Sequence, residues 1–218
     1  MHTVIINGSP RSNAKSNTKI ILNSFIQGYT LENNTFEIYD VANREQWNEA
    51  KEAFYTNENI LIATPLFAES IPGILMEFLE SLLPVQPNDK QQTLSFILQS
   101  GLYEGCQRRC CEEYLRKLSK FLGCEFGGVL SKGDMFVNFL LDSEKSAELT
   151  KPFAEMGKYY AENQCLIGDK VEAFRDIEYM SEKQAKTWNR ITKFAMYEFA
   201  ETFGCKTDLL GRPYDAQK

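Results

Sequence analysis

The sequence predicts an α/β protein. Its core is a doubly wound, five-stranded parallel sheet in the strand order 2-1-3-4-5, followed by a C-terminal helical extension. Three observations lead there. Short apolar runs alternate along the chain with longer stretches whose apolar residues recur at helical spacing. Runs such as Val4-Ile5-Ile6 and Ile60-Leu61-Ile62 are apolar at consecutive positions, as strands covered on both faces require. The intervening helices supply the crossovers that parallel neighbours need. In this winding a ligand crevice lies at the carboxyl ends of strands one and three, where the winding direction switches.

Residues 3–8 form the first strand, and a helix over 17–28 follows with Ile21, Leu22, Phe25 and Ile26 on one face. Residues 35–39 alternate in polarity as a second strand. A weaker helix over 43–56 carries Trp47, Ala50 and Phe54. Residues 59–64 are a buried strand closed by Pro65. The third helix starts with Pro72 in the first helical position and turns Leu75, Phe78, Leu79 and Leu82 inward. Residues 93–98 make the fourth strand, and a helix over 105–122 points Cys111, Tyr114, Leu115, Leu118 and Leu122 inward. Residues 125–131 make the fifth strand. A helix around 145–163 follows, with a possible restart at Thr150-Lys151-Pro152. Residues 1–165 thus form the sheet domain, and 166–218 the helical extension. A long helix over 182–203 places Trp188, Ile191, Ala195, Phe199 and Phe203 near one face, with Gly204 as its C-cap. That face needs cover, from the core or from a second subunit.

At 43% hydrophobic and 25% charged residues, the chain is an ordinary globular one able to bury a sizeable core. The net charge of −6 disfavours nucleic acid and anionic membranes as partners. The N-terminus has only three consecutive apolar residues, too few for a secretion signal or a spanning helix, so a cytoplasmic protein is expected. His2 is the only histidine, and the six cysteines offer no Cys-x-x-Cys pair. Neither a metal site nor a Ser–His or Cys–His nucleophile is expected.

The chemistry concentrates in residues 8–18. An apolar strand ends at Gly8-Ser9-Pro10, a polar and basic loop follows, and Ser16-Asn17-Thr18 opens a helix. The first four N–H groups of a helix lack internal partners and the helix dipole favours an anion there. Ser9, Ser16 and Thr18 offer hydroxyls, Asn17 an amide, and Arg11 or Lys15 a positive charge. No Gly-Lys-Ser/Thr follows and Gly-x-Gly-x-x-Gly is absent, so this is neither a Walker loop nor the usual dinucleotide turn. The reading is a phosphate site for a nucleotide-like cofactor. An ordinary strand-to-helix turn with a good N-cap is the alternative.

Asn7-Gly8-Ser9-Pro10-Arg11 followed by Ser16-Asn17-Thr18 resembles the phosphate loop of the flavodoxin-like NADPH-dependent FMN reductase and quinone reductase superfamily. Thr64-Pro65-Leu66-Phe67, with Ser70-Ile71-Pro72-Gly73 and Phe78-Leu79-Glu80, resembles that superfamily's Pro-Leu-Tyr block and the helix after it. The resemblance covers about residues 1–165. It implies that Ser9, Arg11, Ser16, Asn17 and Thr18 hold the FMN phosphate. It places Pro65, Leu66 and Phe67 along the isoalloxazine ring and Ser100, Gly101, Leu102, Tyr103 and Glu104 at the ring's other edge. Phe67 stands where tyrosine is common, which keeps a stacking surface and removes a hydroxyl. The cysteine cluster of the superfamily's iron–sulfur members is missing.

The resemblance implies an FMN-dependent oxidoreductase that takes hydride from NADPH or NADH and passes it by a ping-pong route to a small-molecule acceptor. No protein side chain then acts as a catalytic acid or base, because the flavin carries the chemistry. By analogy a homodimer is expected. A non-enzymatic flavodoxin-type electron carrier is the main rival. Cys106, Cys110 and Cys111 open the fourth helix, where a thiol can be activated, but a structural role is favoured. Arg108 and Arg109 read as a solvated helix face, with a nucleotide phosphate as the sharper alternative.

Overall fold

The apolar runs pair as one parallel sheet in the order β2-β1-β3-β4-β5. The strands are β1 (His2–Asn7), β2 (Thr35–Asp40), β3 (Asn59–Pro65), β4 (Thr93–Gln99) and β5 (Glu125–Lys132). The computed structural model describes residues 1–11, 16–31, 33–82, 91–202 and 204, so the expectations for Lys15, Phe203 and Cys205 lie outside the described residues. Ile5 pairs with Ile38 of β2 on one side and Leu61 of β3 on the other. The chain therefore leaves β1 first toward one edge and then toward the other, which opens the switch-point crevice above β1 and β3.

Side chains alternate across the sheet as the strand period demands. Val4, Ile6, Ile60, Ile62, Phe96 and Leu98 face α2 (Trp47–Thr56), α3 (Gly73–Glu80) and α4 (Cys106–Phe121). Ile5, Leu61, Ala63 and Ile97 face α1 (Asn17–Thr30), α5 (Ser143–Asn163) and α6 (Asp169–Phe174). The first layer is filled by Phe54, Leu75, Phe78 and Leu115, and the second by Phe25, Tyr29, Phe153 and Tyr160. Each residue lost from these layers forfeits about 2–5 kcal/mol when cut to alanine.

Element ends depart from the sequence expectations in small ways with local causes. Pro72 is the N-cap of α3 and not its first helical residue. A short 3-10 turn, Arg44–Gln46, precedes α2. Pro152 sits inside an unbroken α5, so the helix does not restart there. Packing against α1 holds it in one piece: a Cβ on Gly28 would overlap the carbonyl of Ala154, and one on Gly157 the carbonyl of Phe25. Tyr114 was expected inward, yet it is exposed, while Cys111, Leu115 and Leu122 are buried.

Beyond α5 the chain returns to the sheet. Gly128 has a φ of 94°, and the register of β4 on β5 shifts beside it, between Leu94 and Phe96. This bulge lets the amide of Leu166 reach the carbonyl of Gly127 at 2.6 Å. The first compact unit runs on through α6 to Glu178, past the boundary expected at residue 165. The second unit spans Tyr179–Lys218 and contains the long helix α7 (Glu182–Thr202). Gly204 follows with a φ of 75° and donates to Glu201, as a C-terminal cap does. Ile191 and Phe194 of α7 are exposed.

Candidate functional site

The loop after β1 is organised from below by Asn7. Its side-chain amide donates to Asp40 at 2.7 Å, and its carbonyl oxygen accepts the amide of Ser9 at 3.2 Å. Gly8 packs closely here, since a Cβ would lie 2.5 Å from Leu75 Cδ2 and 3.2 Å from the carbonyl oxygen of Ala63. Ser9, Ser16 and Thr18 are all buried. Ser16 Oγ donates to Ser9 Oγ at 3.0 Å, and Ser9 Oγ also accepts the amide of Arg11 at 3.1 Å. Ser16 is the N-cap of α1, its hydroxyl accepting the amide of Lys19. The amides of Asn17 and Thr18 open the helix and have no intrahelical partner. Hydroxyls and helix amides thus meet at one point, with the backbone of the exposed Arg11 bonded to Ser9, the arrangement an anion needs. Asn17 also holds the neighbouring turn. Its side-chain amide donates to the carbonyl of Met135 at 2.8 Å and its oxygen accepts from Asn138, so it ties the helix to the 3-10 turn Met135–Leu140.

After β3 the chain makes a tight hairpin. Phe67 and Ser70 exchange backbone hydrogen bonds at 2.7 and 3.0 Å. The two residues between them, Ala68 and Glu69, have φ of 46° and 66°. Both lie in the left-handed region that glycine or asparagine normally occupies in such turns, at a cost of about 1–3 kcal/mol each. The turn holds Phe67 out, 52% exposed. Leu66 is half-buried on the core, and Pro65 is buried within the sheet, so Phe67 presents the apolar surface of this block.

The third loop follows β4. Ser100 is buried, and its hydroxyl donates to the carbonyl of Leu102 at 2.9 Å. Gly101 and Leu102 are exposed, and Tyr103 and Glu104 half-buried. The three loops are stitched together at their roots. Gln99 Nε2 donates to Thr18 Oγ1 at 3.3 Å, while the carbonyl of Gln99 accepts the amide of Leu66 at 2.7 Å. The candidate residues therefore converge at the carboxyl edge of β1, β3 and β4. Ser9, Ser16 and Thr18 form a polar end, and Phe67 and Leu102 supply exposed apolar surface.

Sequence reasoning misplaced Arg108. It is 1% exposed, inside the molecule, and pairs with the buried Asp176 at 2.7 Å. Burial pushes its pKa down, and Asp176 opposes that shift. Arg109 is bound to Glu178 and Glu112, so neither arginine is a solvated face free for a nucleotide. The signal was available: Arg108 lies three residues before Cys111 and seven before Leu115, on the buried stripe of α4. Burial raises the Cys111 thiol to about 12, as its structural role requires. Among the described residues no group of three His, Cys, Asp or Glu side chains is placed to hold a metal ion, and no helix is long and apolar enough to cross a membrane.

No protein-family model and no curated protein matches the chain. Solved structures match it in architecture. An FMN-dependent NADH-azoreductase from Bacillus anthracis, solved with FMN, aligns with a TM-score of 0.55 at 16% identity over 73% of this chain and 99% of that one. An NAD(P)H:quinone oxidoreductase from Methanothermobacter marburgensis aligns with a TM-score of 0.55 at 14% identity, covering 75% and 96% of the two chains. The fold is flavodoxin-like. An apo NADH:FMN oxidoreductase shares it over 84% of this chain and 98% of its own, with a TM-score of 0.54 at 14% identity. In this flavodoxin-like chain the polar loop, the hairpin and the loop over residues 100–104 all rise from the carboxyl ends of β1, β3 and β4.

Proposed function

We propose that this protein is an FMN-dependent NAD(P)H oxidoreductase of the flavodoxin-like FMN reductase and quinone reductase superfamily. The observation that carries the reading is the pairing of a buried hydroxyl cluster at a helix N-terminus with exposed apolar side chains on the neighbouring loops. That pairing fits a cofactor with a phosphate at one end and a flat aromatic ring at the other. The three structural neighbours named above are an azoreductase, a quinone oxidoreductase and an FMN oxidoreductase, in keeping with it.

In this reading Ser9, Ser16 and the first amides of α1 bind the FMN phosphate, with Arg11 adding charge and Asn17 and Thr18 bracing the helix end. Phe67 packs on the ring, with Leu66 and Pro65 beneath it. Leu102, Tyr103 and the amides around Gly101 meet the opposite ring edge, with Ser100 and Glu104 shaping that loop. The chemistry FMN supplies when bound is hydride acceptance at N5 from NADPH or NADH and onward transfer to a quinone, flavin or similar acceptor. The protein orients the two partners in turn over one face and excludes water. No side chain is assigned a proton-transfer role. A cytoplasmic homodimer is part of the proposal, the exposed Ile191 and Phe194 of α7 being candidates for the contact.

Initial rates measured over a grid of NADH or NADPH and a benzoquinone test the function. Parallel double-reciprocal lines are expected, since donor and acceptor use one face in turn. No turnover despite bound FMN would favour the electron-carrier reading, to which the net charge of −6 is suited through basic protein partners.

A further inference from the structure

Arg108 is a fully buried cation that the proposed function leaves without a task, and its hydrogen bonds all converge on the ring-edge loop and its supports. Nη1 donates to the hydroxyl of Ser100 at 3.1 Å and to the carbonyls of Leu102 and Glu104 at 3.0 and 3.3 Å. Nε donates to Ser131 at 2.9 Å, at the end of β5. Nη2 meets Asp176, whose carboxylate also accepts the amide of Gly133 at 2.6 Å and pairs with Lys132 at 2.9 Å. Gly133 closes the arrangement, because a Cβ there would overlap both the Leu102 carbonyl and Arg108 Nη1.

This bonding sets the direction of the loop's peptide planes. The carbonyl of Leu102 accepts from Arg108, from Ser100 Oγ and from the amide of Asp134. In a trans peptide the following N–H points opposite to the carbonyl. The Tyr103 amide is therefore aimed away from the guanidinium, and no acceptor among the described residues takes it. An ion pair this well buried is costly unless every group is satisfied, and here the loop satisfies Nη1 while Ser131 and Asp176 satisfy Nε and Nη2. A lysine could not reproduce it, because a compact ammonium has no fork with which to span Ser131, Ser100 and two carbonyls.

We infer that Arg108, anchored by Asp176, is a positioning residue for the flavin: it turns the Leu102 carbonyl inward so that the Tyr103 amide faces the ring, while the Glu104 carbonyl and the Gly105 amide, bonded to Ile177, fix the far end of the loop. The inference rests on the FMN reading above. An amide aimed at the ring edge favours the electron-rich reduced ring over the oxidised one, so misdirecting it weakens binding of the reduced form more.

The test uses the full-length protein as wild type, Arg108→Lys and the milder Ser100→Ala, each titrated with FMN and with riboflavin. The visible band shape, the potential of the bound flavin and thermal stability are recorded alongside. Arg108→Lys is expected to lose about tenfold in affinity for FMN and riboflavin alike, since the phosphate end is untouched. A further tenfold loss for the reduced form lowers the potential by about 30 mV. Ser100→Ala shifts band shape and potential in the same direction by less, which keeps the test decisive if Arg108→Lys fails to fold. Variants that lose stability while band shape, affinity and potential stay at wild-type values overturn the inference and leave Arg108 purely structural. A wild type that binds no FMN overturns the underlying reading instead.

Discussion

Ser16 does two jobs with one hydroxyl: it caps α1 and belongs to the buried hydroxyl cluster. Ser16→Ala is expected to cost about 1 kcal/mol in denaturant unfolding, the worth of an N-cap. It should also weaken FMN binding about tenfold while leaving riboflavin unaffected, because only FMN carries the phosphate. Phe67 is the converse case. It is exposed on a strained turn and supports no core, so Phe67→Ala should leave the melting temperature unchanged. Affinity for FMN and riboflavin should then fall by the same factor, about tenfold for the loss of one aromatic contact. Equal affinities in fluorescence titrations would remove Phe67 from the ring site. Ser9, Ser16 and Thr18 were legible in the sequence because the strand-to-helix turn is a local pattern. Arg108 was legible only in its position on the buried stripe of α4; its partner Asp176 is distant in sequence, and charge alone suggests a surface. The thiols make a further contrast: with Cys111 buried and its pKa raised to about 12, iodoacetamide should label exposed Cys110 in the native protein and Cys111 only on unfolding.

Among the elements, α1 and α5 depend most on glycine. The two helices approach until backbone touches backbone at Gly28 and Gly157. Gly28→Ala has nowhere to place its methyl except by separating the helices, and a loss of about 3 kcal/mol or more is expected in urea unfolding. A loss below 1 kcal/mol would show that the crossing is looser than described. Strand and helix identities were legible throughout the sheet domain, because the inner strands are buried on both faces, the edge strand β2 alternates in polarity and the helices carry apolar stripes. The hairpin at Phe67–Ser70 was not. Ala68-Glu69 lacks the glycine or asparagine that announces a left-handed turn, and the register of the flanking residues imposes it. The unbroken course of α5 through Pro152 was equally hidden, since it follows from packing on α1 and not from propensity.

Over the whole molecule, the charge clusters under the carboxyl edge couple stability to pH. Burial alone would raise the pKa of Glu112, but hydrogen bonds and ion pairs, among them those from Arg175 and Arg109 at 2.7 Å, outweigh it and hold the carboxyl below the ordinary range. A depressed carboxyl contributes stability that is fully present above its unfolded value of about 4.3 and is lost as pH falls through the folded value. Denaturant titrations should therefore show stability declining below about pH 4.3, with a shallower decline in Glu112→Gln. At neutral pH the same variant should be about 2 kcal/mol less stable, because two arginines lose a charged partner. A pH profile identical to wild type would remove Glu112 from the network.

The sheet order and the position of the crevice followed from the alternation of elements, and the structure places the three candidate loops on that one edge. The central claim is that this edge holds FMN and that a nicotinamide reduces it there. An absorbance spectrum of the purified, FMN-supplemented protein, repeated anaerobically after adding NADPH or NADH, tests it most directly. A protein-bound flavin band that bleaches within seconds is expected. A protein that retains no flavin, or one whose flavin band persists with both nicotinamides, would contradict it.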